Sequence, residues 1–240
     1  MTREEFSDGF STLLNSHAAA VGFGMVDGSD SIRLNEYEKS FFLTQAQEDV
    51  VLGLYTGKNA YGESFENTEE LRRHLSSLVA EAELTPTQNS TGVLGIDSHS
   101  KFFTLPEDLW FITYESVTIS DGKCEGMVNQ DVYPVTQDEY HKIKRNPFRG
   151  ANDRRALRLD LSEGVIEIVS KYTVTKYYLR YLKNLTPIIL VDLPDGLTLG
   201  DSSTATDCAL HESLHRIILE QAVQLALRSK GILSKANTTA

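Results

Sequence analysis

His211-Glu212-Ser213-Leu214-His215 is the stretch whose residue types and spacing most directly suggest chemistry. On a helix, two imidazoles four positions apart share a face and can hold zinc. The glutamate between them is then the base that activates a metal-bound water. A catalytic zinc needs a third protein ligand. Beyond His215 the only acidic residue is Glu220, on the opposite side of the same helix, and no histidine follows. Asp192, Asp195, Asp201 and Cys208 are the upstream candidates. A zinc-dependent hydrolase using His211 and His215 as ligands and Glu212 as base is therefore the alternative reading. The plainer one is two histidines near a helix N-terminus, at a surface or interface, with no catalytic residue, no metal and no cofactor assigned.

Other catalytic patterns fail sooner. Gly22-Phe23-Gly24 lacks the further glycine and the clean preceding strand of a phosphate cradle, and Asp27, Ser29 and Asp30 miss the calcium-loop spacing. Gly200-Asp201-Ser202 resembles an esterase nucleophile block but lies late in the chain, and Asp207 and His211 are spaced one residue too far apart to serve it. No G-x-S-x-G or Walker loop occurs.

A second concentration of chemistry is electrostatic. Segment 141–158 (HKIKRNPFRGANDRRALR) carries Lys142, Lys144, Arg145, Arg149, Arg154, Arg155 and Arg158 against one acid, Asp153. Arginines around a Pro/Gly loop suit forked pairing with carboxylates or phosphates. Three uses are open: a solvated loop with local counter-charges, docking onto an acidic neighbouring copy, or a nucleic-acid-binding module. The chain as a whole has 23 basic and 34 acidic residues, a net charge of −11, and repels nucleic acid overall. An acidic protein can still line a passage through which DNA slides without sticking.

These residues must be positioned by helices and strands. Apolar spacing predicts helices over 3–20, 36–55, 68–82 and 207–230, the second capped by Asn35 and the last by Asp207. The second and last helices are apolar on more than one side. Phe41, Phe42 and Tyr55 on one, and Leu219, Val223 and Leu227 on the other, exceed what a single stripe needs and predict cover from a neighbouring copy. The middle alternates like strands: 109–119 and 124–133 joined through an Asp121-Gly122 turn, 154–161, 165–169 and 172–182, with 187–191 a candidate for one more. Residues 85–101 read as a polar loop.

The resulting fold class is α+β: a helical bundle of N-terminal helices plus the long C-terminal helix, with an inserted antiparallel β-sandwich or barrel-like module. Its parts are a helical domain from 1–84 and 205–231, a loop at 85–101, a β domain at 102–191 and a tail at 232–240. At 240 residues a substantial core is affordable. The acidic start is unlike a secretory signal, no apolar run spans a membrane, and Cys124 and Cys208 stand apart as in a reducing compartment.

Segments 35–55 (NEYEKSFFLTQAQEDVVLGLY), 144–160 (KRNPFRGANDRRALRLD) and 208–227 (CALHESLHRIILEQAVQLAL) resemble a structural protein of crAss-like and related Bacteroidetes bacteriophages. That resemblance implies a head-to-tail connector, or neck ring protein, in the virion, stacked between portal and tail and assembled in the host cytoplasm. It implies a closed ring of about twelve copies, contacts with the portal protein and adjacent neck or tail ring proteins, and DNA passing nearby without sequence-specific binding. Interface residues are then expected at Phe41, Phe42, Tyr55, Arg145, Arg149, Arg154, Arg155, Arg158, Leu219, Val223 and Leu227. No enzymatic residue is implied.

Overall fold

A computed structural model describes residues 1–20, 33–57, 69–87, 95–120, 128–161, 164–194 and 196–231. The glycine-rich stretch at 21–31, the Asp121-Gly122 turn, Cys124 and the tail at 232–240 lie outside them. The chain forms two compact units. One comprises Met1–Leu78 with Leu185–Ala240; the other, Val79–Asn184, is inserted between those two halves.

The first unit holds α1 (Arg3–Ala20), α2 (Glu36–Thr56), α3 (Glu69–His74) and α5 (Glu212–Ser229). Reciprocal capping starts α1, where the Glu5 amide donates to Thr2 Oγ1 and the Thr2 amide to Glu5 Oε2. The same box forms at α2 between Asn35 and Glu38, and Gly57 closes that helix in the left-handed conformation. α5 packs against both α1 and α2. It runs antiparallel to α2, since Lys230 approaches Glu38 at 3.8 Å while Gln221 Nε2 donates to Asp49 at 3.4 Å.

Residues 187–191 do not add a strand to the sheet. They run beside α2, whose polar side chains take up backbone groups of this stretch. Leu190 N–H donates to Ser40 Oγ at 3.0 Å, Ile188 N–H to Thr44 Oγ1 at 3.1 Å, and Gln47 Nε2 to Thr186 O at 3.0 Å. A helix thus satisfies the groups that a sheet neighbour would otherwise have paired. α5 also starts later than expected. His211, not Asp207, caps it, because Thr206 is held extended by its bridge to Ile189 and Asp207 pairs with Arg3 at 3.1 Å.

The second unit is a curled seven-stranded sheet in the order β1-β7-β3-β4-β5-β6-β2. Its strands are β1 (Val79–Leu84), β2 (Lys101–Thr104), β3 (Leu109–Ser120), β4 (Val128–Pro134), β5 (Arg155–Asp160), β6 (Val165–Val169) and β7 (Thr173–Lys183). Just past β1, Thr87 bridges Phe102 of β2, so the two edges of the sheet nearly meet and the module is barrel-like. All pairs are antiparallel except β4 with β5, whose crossover carries the short helix α4 (Gln137–Ile143). The helix expected over 68–82 breaks after His74, and its second half becomes β1, with Ala80, Ala82 and Leu84 packed on the sheet core. Pairing with the whole of Leu182 to Tyr177 outweighs the weak helical preference of two alanines.

Apolar residues of β3, β5, β6 and β7 fill one face around Phe103, Ile168, Tyr177 and Leu179. The opposite face of β5, Leu157 and Leu159, packs with Tyr140 and Ile143 of α4. β5 is therefore buried on both sides.

Candidate assembly surfaces

The basic segment begins where α4 ends. Asn146 N–H donates to Ile143 O, and Asn146 Oδ1 accepts from the amides of Phe148 and Arg149 at 2.9 and 3.3 Å. Gly150 N–H closes back on Asn146 O at 2.7 Å. A Cβ on Gly150 would lie 2.8 Å from Asn146 O and 3.0 Å from Ile143 O, so only glycine allows this approach. Downstream, Gln130 Nε2 donates to Asn152 O, and Asn152 Oδ1 accepts from Arg154 N–H. The loop is tied to α4 at one end and to β4 at the other.

This scaffold holds Phe148 outward, 85% exposed, with Arg145, Arg149 and Arg154 exposed around it. Among the described residues those three arginines, Lys142 and Lys144 form no ion pair, while Asp153 is already taken by Lys171 at 2.7 Å. Arg155 is occupied differently: its guanidinium stacks 4.3 Å over the Tyr133 ring and donates to Phe148 O.

Arg158 leaves the expected group altogether. It points to the buried side of β5, where Nη1 donates to Glu115 at 2.8 Å; Tyr177 Oη donates to the other Glu115 oxygen, also at 2.8 Å. Asp160 stands 2.9 Å from Arg158 Nε as a charge partner, without the alignment of a hydrogen bond. Burial pushes the Glu115 carboxyl up from its ordinary range against the pull of Arg158, and burial with the adjacent carboxylate pushes the Tyr177 phenol up strongly. The basic run predicts Arg158 at an interface. The sheet curls enough to enclose it.

The helical expectations divide likewise. Phe41 is 47% exposed, with the half-buried Phe42 ring edge-on to it at 5.7 Å, and Tyr55 is half-buried. Leu219, Val223 and Leu227 are not available to a second copy in this structure: each is at most 5% exposed within the unit. The broad apolar girth of α5 is covered by two helices of its own chain. Leu219 reaches α1 at Gly9, where an added Cβ would meet its Cδ2 at 2.9 Å. What α5 leaves open is Ile217, 48% exposed.

His211 and His215 do not act as a pair. His211 lies outside the helix as its N-cap and accepts from Ser213 N–H, while Ser213 Oγ also contacts His74 Nδ1 at 3.0 Å. His215 is turned inward. Its Nε2 lies 3.0 Å from Leu210 O, which can only accept, so Nε2 carries the proton and Nδ1 accepts from the Met1 amino group at 2.8 Å. Burial lowers its pKa below the ordinary histidine value. Cap and core contacts thus occupy the two ligands of the zinc alternative, Glu212 sits exposed in the first turn, and among the described residues no cluster of three potential ligands forms.

Phe148 is what sequence reasoning undervalued. Its signal was an aromatic directly after proline inside a turn crowded with cations.

Two helix-bearing segments, with a curled sheet inserted between them in the sequence and an arginine loop fixed by its own hydrogen bonds, make up the fold. A family model described as phage tail ring protein 3/4 matches residues 1–238. The chain is 51% identical to "Ring protein 3" of Bacteroides phage crAss001 over 233 residues, 96% of each chain. It is 28% identical over 235 residues to "Ring protein 4/5" of the same phage, covering 94% of this chain and 92% of that one. The chain belongs to the phage tail ring protein 3/4 family of crAss-like phages and is a structural component of the virion. Among the described residues no helix is long and apolar enough to cross a membrane.

Proposed function

We propose that this protein forms one closed ring of the phage neck, a connector of about twelve copies that joins portal to tail and surrounds the path of the DNA. The observation that carries the reading is the preorganised loop at 144–154, which presents an exposed aromatic and uncompensated arginines on a chain with net charge −11. Such a loop gains little in isolation and much against an acidic protein surface. Arg145, Arg149 and Arg154 are its contact residues; Phe41 and Tyr55 of α2 offer a second surface for the adjacent ring or the portal. Membership of a ring protein family supports closed assembly, and the acidic balance suits a wall past which DNA moves without adhering.

The test is size and shape. Purified chain examined by mass photometry and negative-stain electron microscopy, alone and with portal protein, is expected to give rings with a central opening. Particles that stay at the 26.8 kDa monomer mass under both conditions end this reading.

A further inference from the structure

A ring built head to tail needs two different surfaces on each copy. We propose that loop 144–154 of one copy seats in an acidic cleft on the helical unit of the next, with Phe148 as the knob. This rests on the ring reading and names the two surfaces that would close it.

The cleft lies between the first turn of α1 and the bend at 190–192. A cavity of about 850 Å³ there is lined by Arg3, Glu4, Val191, Asp192 and Asp207, and it adjoins a second one lined by Arg3, Asp8 and Glu36. Several of these carboxylates have local partners: Asp207 pairs with Arg3, Glu36 with Lys39, and Asp192 accepts from Ala205 N–H. Glu5 is used by the cap of α1. Glu4 and Asp8 are left over, both exposed and without an ion pair among the described residues. They stand one helical turn apart on one face, where like charges repel. An arginine from another molecule relieves that repulsion.

The other component is apolar. Val191 is 54% exposed beside these acids, and Phe148 is 85% exposed between Arg145 and Arg149. An aromatic flanked by arginines meets a valine flanked by carboxylates. Among the described residues neither Arg145 and Arg149 on the one surface nor Glu4 and Asp8 on the other form an ion pair, and each pair carries the charge that the other requires. Because the two surfaces belong to different units of the chain, the contact is heterologous, the kind that propagates around a ring.

The test compares wild-type full-length chain with Arg145→Glu/Arg149→Glu, with Glu4→Arg/Asp8→Arg, and with the chain carrying all four changes. Assembly is followed by mass photometry across a concentration series. All four side chains are exposed, and thermal unfolding of the variants confirms that each folds. Each two-site variant is expected to associate at least about tenfold more weakly, and the four-site variant to recover most of that loss. Phe148→Ala is expected to weaken association as well. The contact is overturned, with the ring reading intact, if the two-site variants assemble like wild type. The same holds if the four-site variant stays as weak as either, or if Arg145→Glu/Arg149→Glu loses only salt-dependent binding to duplex DNA. Wild-type chain that stays at 26.8 kDa both alone and with portal protein removes the ring reading and this contact together.

Discussion

Arg158 lies on β5 on the same side as Ala156, buried with Glu115 and Tyr177, whereas Arg149 from the same basic run stands in solvent. Their substitutions should therefore behave in opposite ways. Arg158→Leu leaves Glu115 as a buried carboxylate short of its cation and should cost about 3–5 kcal/mol in urea unfolding, whereas Arg149→Ala should stay within about 0.5 kcal/mol. Equal effects would mean that the Glu115 cluster contributes nothing special. His215 supplies a pH dependence at the same scale. Its folded pKa lies below the ordinary 6.5, so the unfolded chain takes up a proton that the folded chain resists. The neutral ring's contribution is present above about pH 6.5 and is lost as pH falls from there toward the folded value. Thermal unfolding of wild type should weaken over that window, and His215→Gln should flatten the dependence.

At the level of elements, α5 shows how a helix apolar on several sides is satisfied inside one chain. Leu219→Ala should lower the unfolding free energy by about 2–5 kcal/mol, measured at concentrations where the chain is monomeric, because the cavity forms between α5 and α1. A surface leucine would show almost nothing. A helix start was legible where its cap is local, as at Asn35. Starts were not legible where a distant strand decides: β1 was read as helix because its partner, β7, lies far along the chain. β2 was missed for the same reason, being a short edge strand paired only with β6.

For the whole molecule, the expected ring should depend on salt as well as on concentration. Contacts carried by exposed arginines and carboxylates are screened over about 8 Å at physiological ionic strength, so rings held by the loop should loosen as salt rises. Rings held mainly by Phe41 and Ile217 would not. The parallel β4–β5 pair matters at this scale too. Its crossover places α4, and the end of α4 fixes the loop through Asn146 and Gly150. Among the described strands, this parallel pair is the departure from antiparallel pairing that leads into the loop bearing Phe148.

The sequence by itself determined the α+β class, the barrel-like insertion, the Asn35 cap of α2 and the basic run, because those depend on periodicity, turn chemistry and charge, which are local. Tertiary structure alone decided which of those residues remain available. Curling of the sheet withdrew Arg158 into a buried pair, the α1–α5 and α2–α5 packing covered Leu219, Val223 and Leu227, and a later helix start separated His211 from His215. Availability is set by residues far away in sequence, and no local pattern carries that information.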